Sequence, residues 1–127
     1  MKFSQIQSNG KVISALAGMV DSGKVPHSIL FHEEDGGDAF AICLAFLQYL
    51  YCKSHVDSDS CGTCLQCNKI DKLIHPDVHF IFPTTSSTIS EQYIKQFRTL
   101  VSSNPHFTEN ELADALGIEG KKSLIAV

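Results

Sequence analysis

The chain has 127 residues, of which 43% are hydrophobic and 19% charged, with a formal net charge of −4. This is the size of one ordinary domain with enough apolar material to bury a core, which excludes a disordered chain. The negative balance excludes a free-standing DNA binder held by a broad basic surface.

No run reaches the roughly 18 unbroken apolar residues of a membrane span. The opening Met1-Lys2-Phe3-Ser4-Gln5 lacks the charged-then-apolar layout of a secretory signal. A cytoplasmic, reducing location with no membrane partner is therefore expected, in which five cysteines serve as thiols or metal ligands rather than disulfides.

In chain order, residues 9–22 place Val12, Ile13, Leu16, Met19 and Val20 at helical spacing, with Gly23 as the stop. After Pro26, the run Ser28-Ile29-Leu30-Phe31 is too short for a helix and reads as a buried strand. A glycine-bearing acidic loop follows, and then a strongly apolar helix over residues 39–51. Strand, glycine loop and apolar helix in that order open a P-loop type of α/β unit.

Residues 52–68 interrupt the pattern as an insertion, leading into a short helix over about 65–74. Residues 77–82 read as a second strand ended by Pro83, and 84–90 as a polar loop. Residues 90–102 form an amphipathic helix through Tyr93, Ile94, Phe97, Leu100 and Val101. Thr108 and Glu111 have capping-box spacing, which predicts a helix from 109 to about 116 stopped by Gly117. Residues 123–127 begin another strand. The alternation predicts an α/β fold with a parallel sheet and flanking helices.

Cys52, Cys61, Cys64 and Cys67 form C-x8-C-x2-C-x2-C. Thiolates on a tight turn converge on one ion, and zinc favours four of them in a tetrahedron. Gly62 supplies the backbone freedom of the knuckle. Four thiolates leave no open position, so the zinc expected here is structural, and its binding folds an insertion too small for a core of its own. A redox dithiol and an iron–sulfur cluster are the alternative uses of the same residues. Cys43, within the apolar helix, reads as a buried thiol. His55 and His75 lie near the cluster, but four cysteines already complete a ligand set, so both are read as surface or packing residues.

A phosphate-binding loop reads G-x-x-x-x-G-K-[ST]. The corresponding segment is His32-Glu33-Glu34-Asp35-Gly36-Gly37-Asp38-Ala39, in which Asp38 stands for the lysine and Ala39 for the hydroxyl residue. Glu33, Glu34, Asp35 and Asp38 bring negative charge to the place a polyphosphate would occupy. Asp38 is expected to fill the anion preference of the following helix N-terminus from within the chain. No nucleotide cofactor is expected at this loop. An ordinary acidic surface turn leads to the same expectation.

Four motifs now stand in order. Val25-Pro26-His27-Ser28-Ile29-Leu30-Phe31 resembles the entry to the nucleotide loop in subunits of the bacterial DNA polymerase III clamp loader. Tyr49-Leu50-Tyr51-Cys52, Cys61-Gly62-Thr63-Cys64-Leu65-Gln66-Cys67 and His75-Pro76-Asp77-Val78-His79 resemble the helix end, the zinc knuckle and the entry to the next strand in the same family. The resemblance is firm over residues 5–83 and softer beyond, through Tyr93-Ile94-Lys95 and Asn104-Pro105-His106-Phe107.

It implies an AAA+ domain with an inserted four-cysteine zinc module at about 52–68, and a chain that is the N-terminal part of a longer protein. The missing lysine points to the delta-prime type rather than the ATP-hydrolysing gamma/tau type. The implied partners are the delta and gamma/tau subunits, with DNA reached only through the assembly. No magnesium-site acidic strand and no Ser-Arg-Cys finger is found, and Arg98, the sole arginine, lies on an amphipathic helix. No catalytic residue is therefore carried over. The competing functions are a gamma/tau-type ATPase fragment and a small zinc-binding interaction protein.

Overall fold

The computed structural model describes residues 1–84 and 90–117. Among these, five α-helices form: α1 (Gly10–Asp21), α2 (Ala39–Tyr51), α3 (Leu65–Asp71), α4 (Ile94–Ser103) and α5 (Glu109–Ala115). Short 3-10 turns occupy Phe3–Gln5 and Ser90–Tyr93. The chain divides into two compact units, Met1–His75 and Pro76–Val127.

In the first unit α2 is the central element, packed against both α1 and α3. Its apolar composition explains this: Ala41, Ile42, Leu44, Ala45, Phe46 and Tyr49 are all buried. Leu16 and Ala17 of α1 and Phe3 complete one core with Ile42, Ala45, Phe46 and Tyr49. Tyr49 donates to Asp21 Oδ1 at 2.7 Å, tying the C-terminal ends of α2 and α1 together. Burial, with this hydrogen bond second, pushes the Tyr49 phenol up to about 12.

In the second unit Phe97 is the hub. It stacks on Phe82 at 4.3 Å and also meets Phe80 and the edge of Phe107. α4 packs on α5 beside it. The expected capping box is present: Glu111 N donates to Thr108 Oγ1 and Thr108 N to Glu111 Oε2, both at 3.2 Å. Gly23 and Gly117, the expected stops, both have positive φ just beyond their helices.

The parallel sheet is not seen. Among the described residues neither 28–31 nor 77–82 forms a strand, and the expected strand at 123–127 lies outside them. The side-chain alternation of a strand is nonetheless there. Ile29 and Phe31 pack on the core of the first unit while Leu30 is 90% exposed. Phe80 and Phe82 face Phe97 while Ile81 is 71% exposed. Among the described residues neither tract is assigned to a ladder, and a strand exists only where a second backbone satisfies its amides and carbonyls. Period-two burial reports the face a segment covers and says nothing about its edges. The fold of the described residues is thus helical, with two one-sided apolar tracts in place of the expected strands.

Candidate metal centre

The four cysteines come from three differently built pieces of backbone. Cys52 is the residue that ends α2: its amide still bonds Gln48 O at 2.9 Å, but its own backbone is extended, with φ −61° and ψ 134°. The chain then reverses in a two-residue turn at Asp57-Ser58, both with positive φ (52° and 59°), closed by reciprocal bonds between Val56 and Asp59 of 2.9 and 3.0 Å. Two left-handed residues in succession make the hairpin turn that Asn-Gly usually fills. Cys61 follows, then Gly62 at φ +77°, and Cys64 caps α3 with its sulfur accepting from Cys67 N. Cys67 lies on the first turn of α3 and is buried.

The sulfurs of Cys52, Cys61, Cys64 and Cys67 all lie within 4.8 Å of one another. Cys52 and Cys61 are 3.6 Å apart, and Cys61 and Cys67 3.9 Å. A tetrahedron with metal–sulfur bonds of about 2.3 Å has edges of about 3.8 Å, so the four thiols are already spaced for one ion. The donor set fits the group. Backbone amides surround it: Ser54 N and Cys61 N donate to Cys52 Sγ at 3.4 and 3.3 Å, Cys64 N to Cys61 Sγ at 3.3 Å, and Cys67 N to Cys64 Sγ at 3.4 Å. Such amides offset the negative charge that four thiolates accumulate.

The sulfurs are not equivalent before an ion arrives. Amides from Thr63 and Cys64 hold the Cys61 thiol down to about 6. Burial opposes ionisation of Cys64, but the amides of Lys53 and Cys67 outweigh it and lower that thiol as well. Burial pushes Cys67 up to about 12, and it raises the isolated Cys43. In ion-free chain at pH 7, iodoacetamide should therefore alkylate Cys61 fastest and Cys67 and Cys43 slowest, with Cys61 protected once zinc is added. Peptide mass spectrometry over a time course reads this order directly; equal rates at Cys61 and Cys43 would refute it.

Neither nearby histidine joins the cluster. His55 Nε2 lies 2.6 Å from the Tyr49 carbonyl and its ring stacks on Tyr49 at 3.9 Å. His75 Nε2 lies 2.6 Å from Gln66 Oε1, with its ring against Tyr51. Both are packing residues that brace the helices beside the sulfurs.

The acidic loop is arranged differently from the sequence expectation. Gly37 N closes a turn on Glu34 O at 3.0 Å, with Gly36 at φ +78°. Asp38 occupies the N-cap position of α2 without a side-chain cap bond. Its carboxylate instead accepts from Ser8 Oγ and, at 3.4 Å, from Asn9 Nδ2. The acid that meets the helix is Glu33, whose Oε2 accepts from Ala39 N at 2.7 Å. The correction has a steric cause: Gly37 leaves room for Glu33 to fold back, since a Cβ there would stand 2.7 Å from Glu33 Oε2. Glu34 and Asp35 are exposed in this turn. Glu33→Ala should cost about 0.5–1 kcal/mol of stability in urea unfolding, the usual value of an acceptor at a helix N-terminus. A null result would show that the bond has no weight in solution.

The sequence missed the anchoring of the N-terminal residues. Asp59, only 8% exposed, accepts from Phe3 N and Ser4 N at 3.0 Å each and from Ser60 N at 2.8 Å. Gln48, fully buried, donates to Ser60 Oγ at 3.1 Å and accepts from the Met1 amino group at 2.8 Å. The Met1 amino group also pairs with Asp71. Only the unusual density of Asp and Ser in 57–60 hinted at this role.

A family model described as DNA polymerase III, delta subunit, matches residues 8–113, a span that takes in the acidic loop and all four clustered cysteines. No curated protein and no solved structure matches the chain. No described helix is long and apolar enough to cross a membrane.

Proposed function

From the premise that the chain belongs to the family described as DNA polymerase III, delta subunit, we propose that it is a delta-prime-type subunit of the bacterial clamp loader, with a structural zinc ion and no ATPase activity of its own. Family membership makes it a clamp-loader-type subunit with a role in DNA replication, whose partners are subunits of the DNA polymerase III complex. Delta and gamma/tau are the partners proposed, in the cytoplasm, with DNA met only through the assembly. The net charge of −4 fits such an indirect contact.

One observation carries the non-ATPase reading. The N-terminus of α2, where a phosphate would be cradled, is met by Glu33 at 2.7 Å from Ala39 N, and the lysine position holds Asp38. An internal carboxylate serves the helix as an anion and repels another one.

The four cysteines are the proposed zinc ligands. Zinc bound there would supply a cross-link with no open coordination position. The chain's own part is to aim the sulfurs. The end of α2 presents Cys52, the left-handed pair Asp57-Ser58 returns the chain to Cys61, and the first turn of α3 brings in Cys64 and Cys67. The amides of Ser54, Cys61, Cys64 and Cys67 hold the sulfurs of Cys52, Cys61 and Cys64 in place.

Reconstitution separates the subunit types. Mixed with delta and gamma/tau subunits, the chain should co-elute on size exclusion while adding no ATP turnover beyond that of gamma/tau. Turnover by the chain alone, abolished by Ala substitutions in residues 33–39, would place it with the motor subunits instead.

A further inference from the structure

We propose that ion binding at the four sulfurs and docking of the N-terminal segment, residues 1–5, are one coupled event transmitted by Asp59. The inference rests on the metal reading given above and adds a positioning residue and a consequence to it. The segment lies outside the span that the family model matches.

Asp59 stands two residues before the ligand Cys61 and carries a carboxylate almost wholly removed from water. A buried carboxylate is tolerated only when its lone pairs are satisfied. Here the amides of Phe3, Ser4 and Ser60 do this. Two of the three come from a segment 55 and 56 residues distant in sequence.

The same carboxylate therefore fixes both sides. Toward the sulfurs, it holds the amide of Ser60, whose hydroxyl is held in turn by Gln48 of α2. Cys61 follows at once, its own amide on Cys52 Sγ. Toward the N-terminus, it is the acceptor that orients the turn Phe3–Gln5, so that Phe3 enters the core beside Tyr49, ring centres 5.5 Å apart. Lys2 adds a second contact between the same parts. A Cβ on Gly62 would lie 3.2 Å from Lys2 Cδ, so the lysine stem covers the knuckle backbone.

An ion joins Cys52 to Cys61 and closes the loop between them. Loss of the ion opens that loop, lets Asp59 hydrate, and removes the acceptor from the Phe3 and Ser4 amides. Linkage makes the effect reciprocal, so a docked segment raises the affinity of the sulfurs for the ion.

The test uses the full 127-residue chain and zinc chloride. Hydrogen exchange resolved to the Phe3 and Ser4 amides is compared in zinc-loaded and chelator-stripped protein, and zinc affinity is measured against a chromophoric chelator for wild type, Asp59→Asn and Asp59→Ala. Exchange at Phe3 and Ser4 should quicken on stripping by about 5- to 150-fold, the usual range of coupling between two sites, while amides within α1 change little. Zinc affinity should fall about tenfold in Asp59→Asn and further in Asp59→Ala, because asparagine keeps one acceptor oxygen and alanine none. Far-UV circular dichroism checks that α1 and α2 persist in both variants. Should a variant fail to fold, the wild-type exchange comparison decides alone. Zinc uptake with unchanged exchange at Phe3 and Ser4 overturns the coupling and leaves the metal reading standing. No zinc uptake by wild type overturns both.

Discussion

Replacing Cys67 by serine should abolish stoichiometric zinc binding and lower the thermal midpoint of the chain by about 10–20 °C in the presence of zinc. The magnitude follows from linkage. A ligand at 100 times its dissociation constant stabilises the folded state by about 2.7 kcal/mol. In a domain of 60–100 residues each kcal/mol moves the midpoint by about 4–8 °C. Cys67 is the most deeply buried of the four, on the first turn of α3, so its loss removes a ligand and leaves a hydroxyl in its place. Chelator added to wild type should produce a shift of the same size, and chelator added to Cys67→Ser should produce none. Binding must also weaken toward acid. The Cys67 thiol, near 12 without the ion, has to release its proton on coordination, so protons compete with metal for it throughout the neutral range. Elemental analysis of purified protein and a scan with and without chelator are sufficient. A full equivalent of zinc retained by Cys67→Ser would remove this residue from the ligand set.

Magnesium ATP at about 1 mM should move the thermal midpoint by at most about 2–3 °C, since a ligand whose dissociation constant lies above its concentration stabilises the fold by less than about 0.4 kcal/mol. Two unit charges about 4 Å apart repel by about 1 kcal/mol in water and about 4 kcal/mol where solvent is partly excluded. A phosphate oxygen seated at Ala39 N would have to displace Glu33 or stand against it. Neither Asp38 nor Ala39 offers the cation or hydroxyl that normally repays such a move. Isothermal titration that reveals a saturable micromolar site would mean that the loop rearranges and that this reading of Glu33 is wrong.

The two loops differ in how legible they were. C-x8-C-x2-C-x2-C states its geometry in the sequence, because ligand spacing on tight turns leaves few arrangements. The acidic loop states its charge but not its geometry. Which of four acids reaches the helix depends on the turn at Gly36-Gly37, and the space beside Gly37 decided for Glu33. Helices were equally clear where periodicity and stop signals agreed: α2 spans Ala39–Tyr51, the range expected, and the Thr108–Glu111 box starts α5. The amphipathic stretch from 90 begins as a 3-10 turn and becomes α-helical only at Ile94, a boundary that periodicity does not resolve. The sheet was over-read because a short apolar run such as 28–31, and the order of such runs with helices, says nothing about whether a second backbone lies alongside. Asp59 was unreadable for a different reason: its bonds span more than fifty residues, and in a Ser- and Asp-rich tract a buried acid looks like a solvated one.

The tracts at 28–31 and 77–82 alternate in exposure as strands do, with Leu30 and Ile81 turned outward. Such stretches invite lateral templating by other molecules when a solution is concentrated. Proline cannot donate to a ladder, and Pro26 precedes the first tract while Pro76 and Pro83 bracket the second. Prolines in such flanking positions limit intermolecular pairing to a handful of residues and keep it from spreading along a chain.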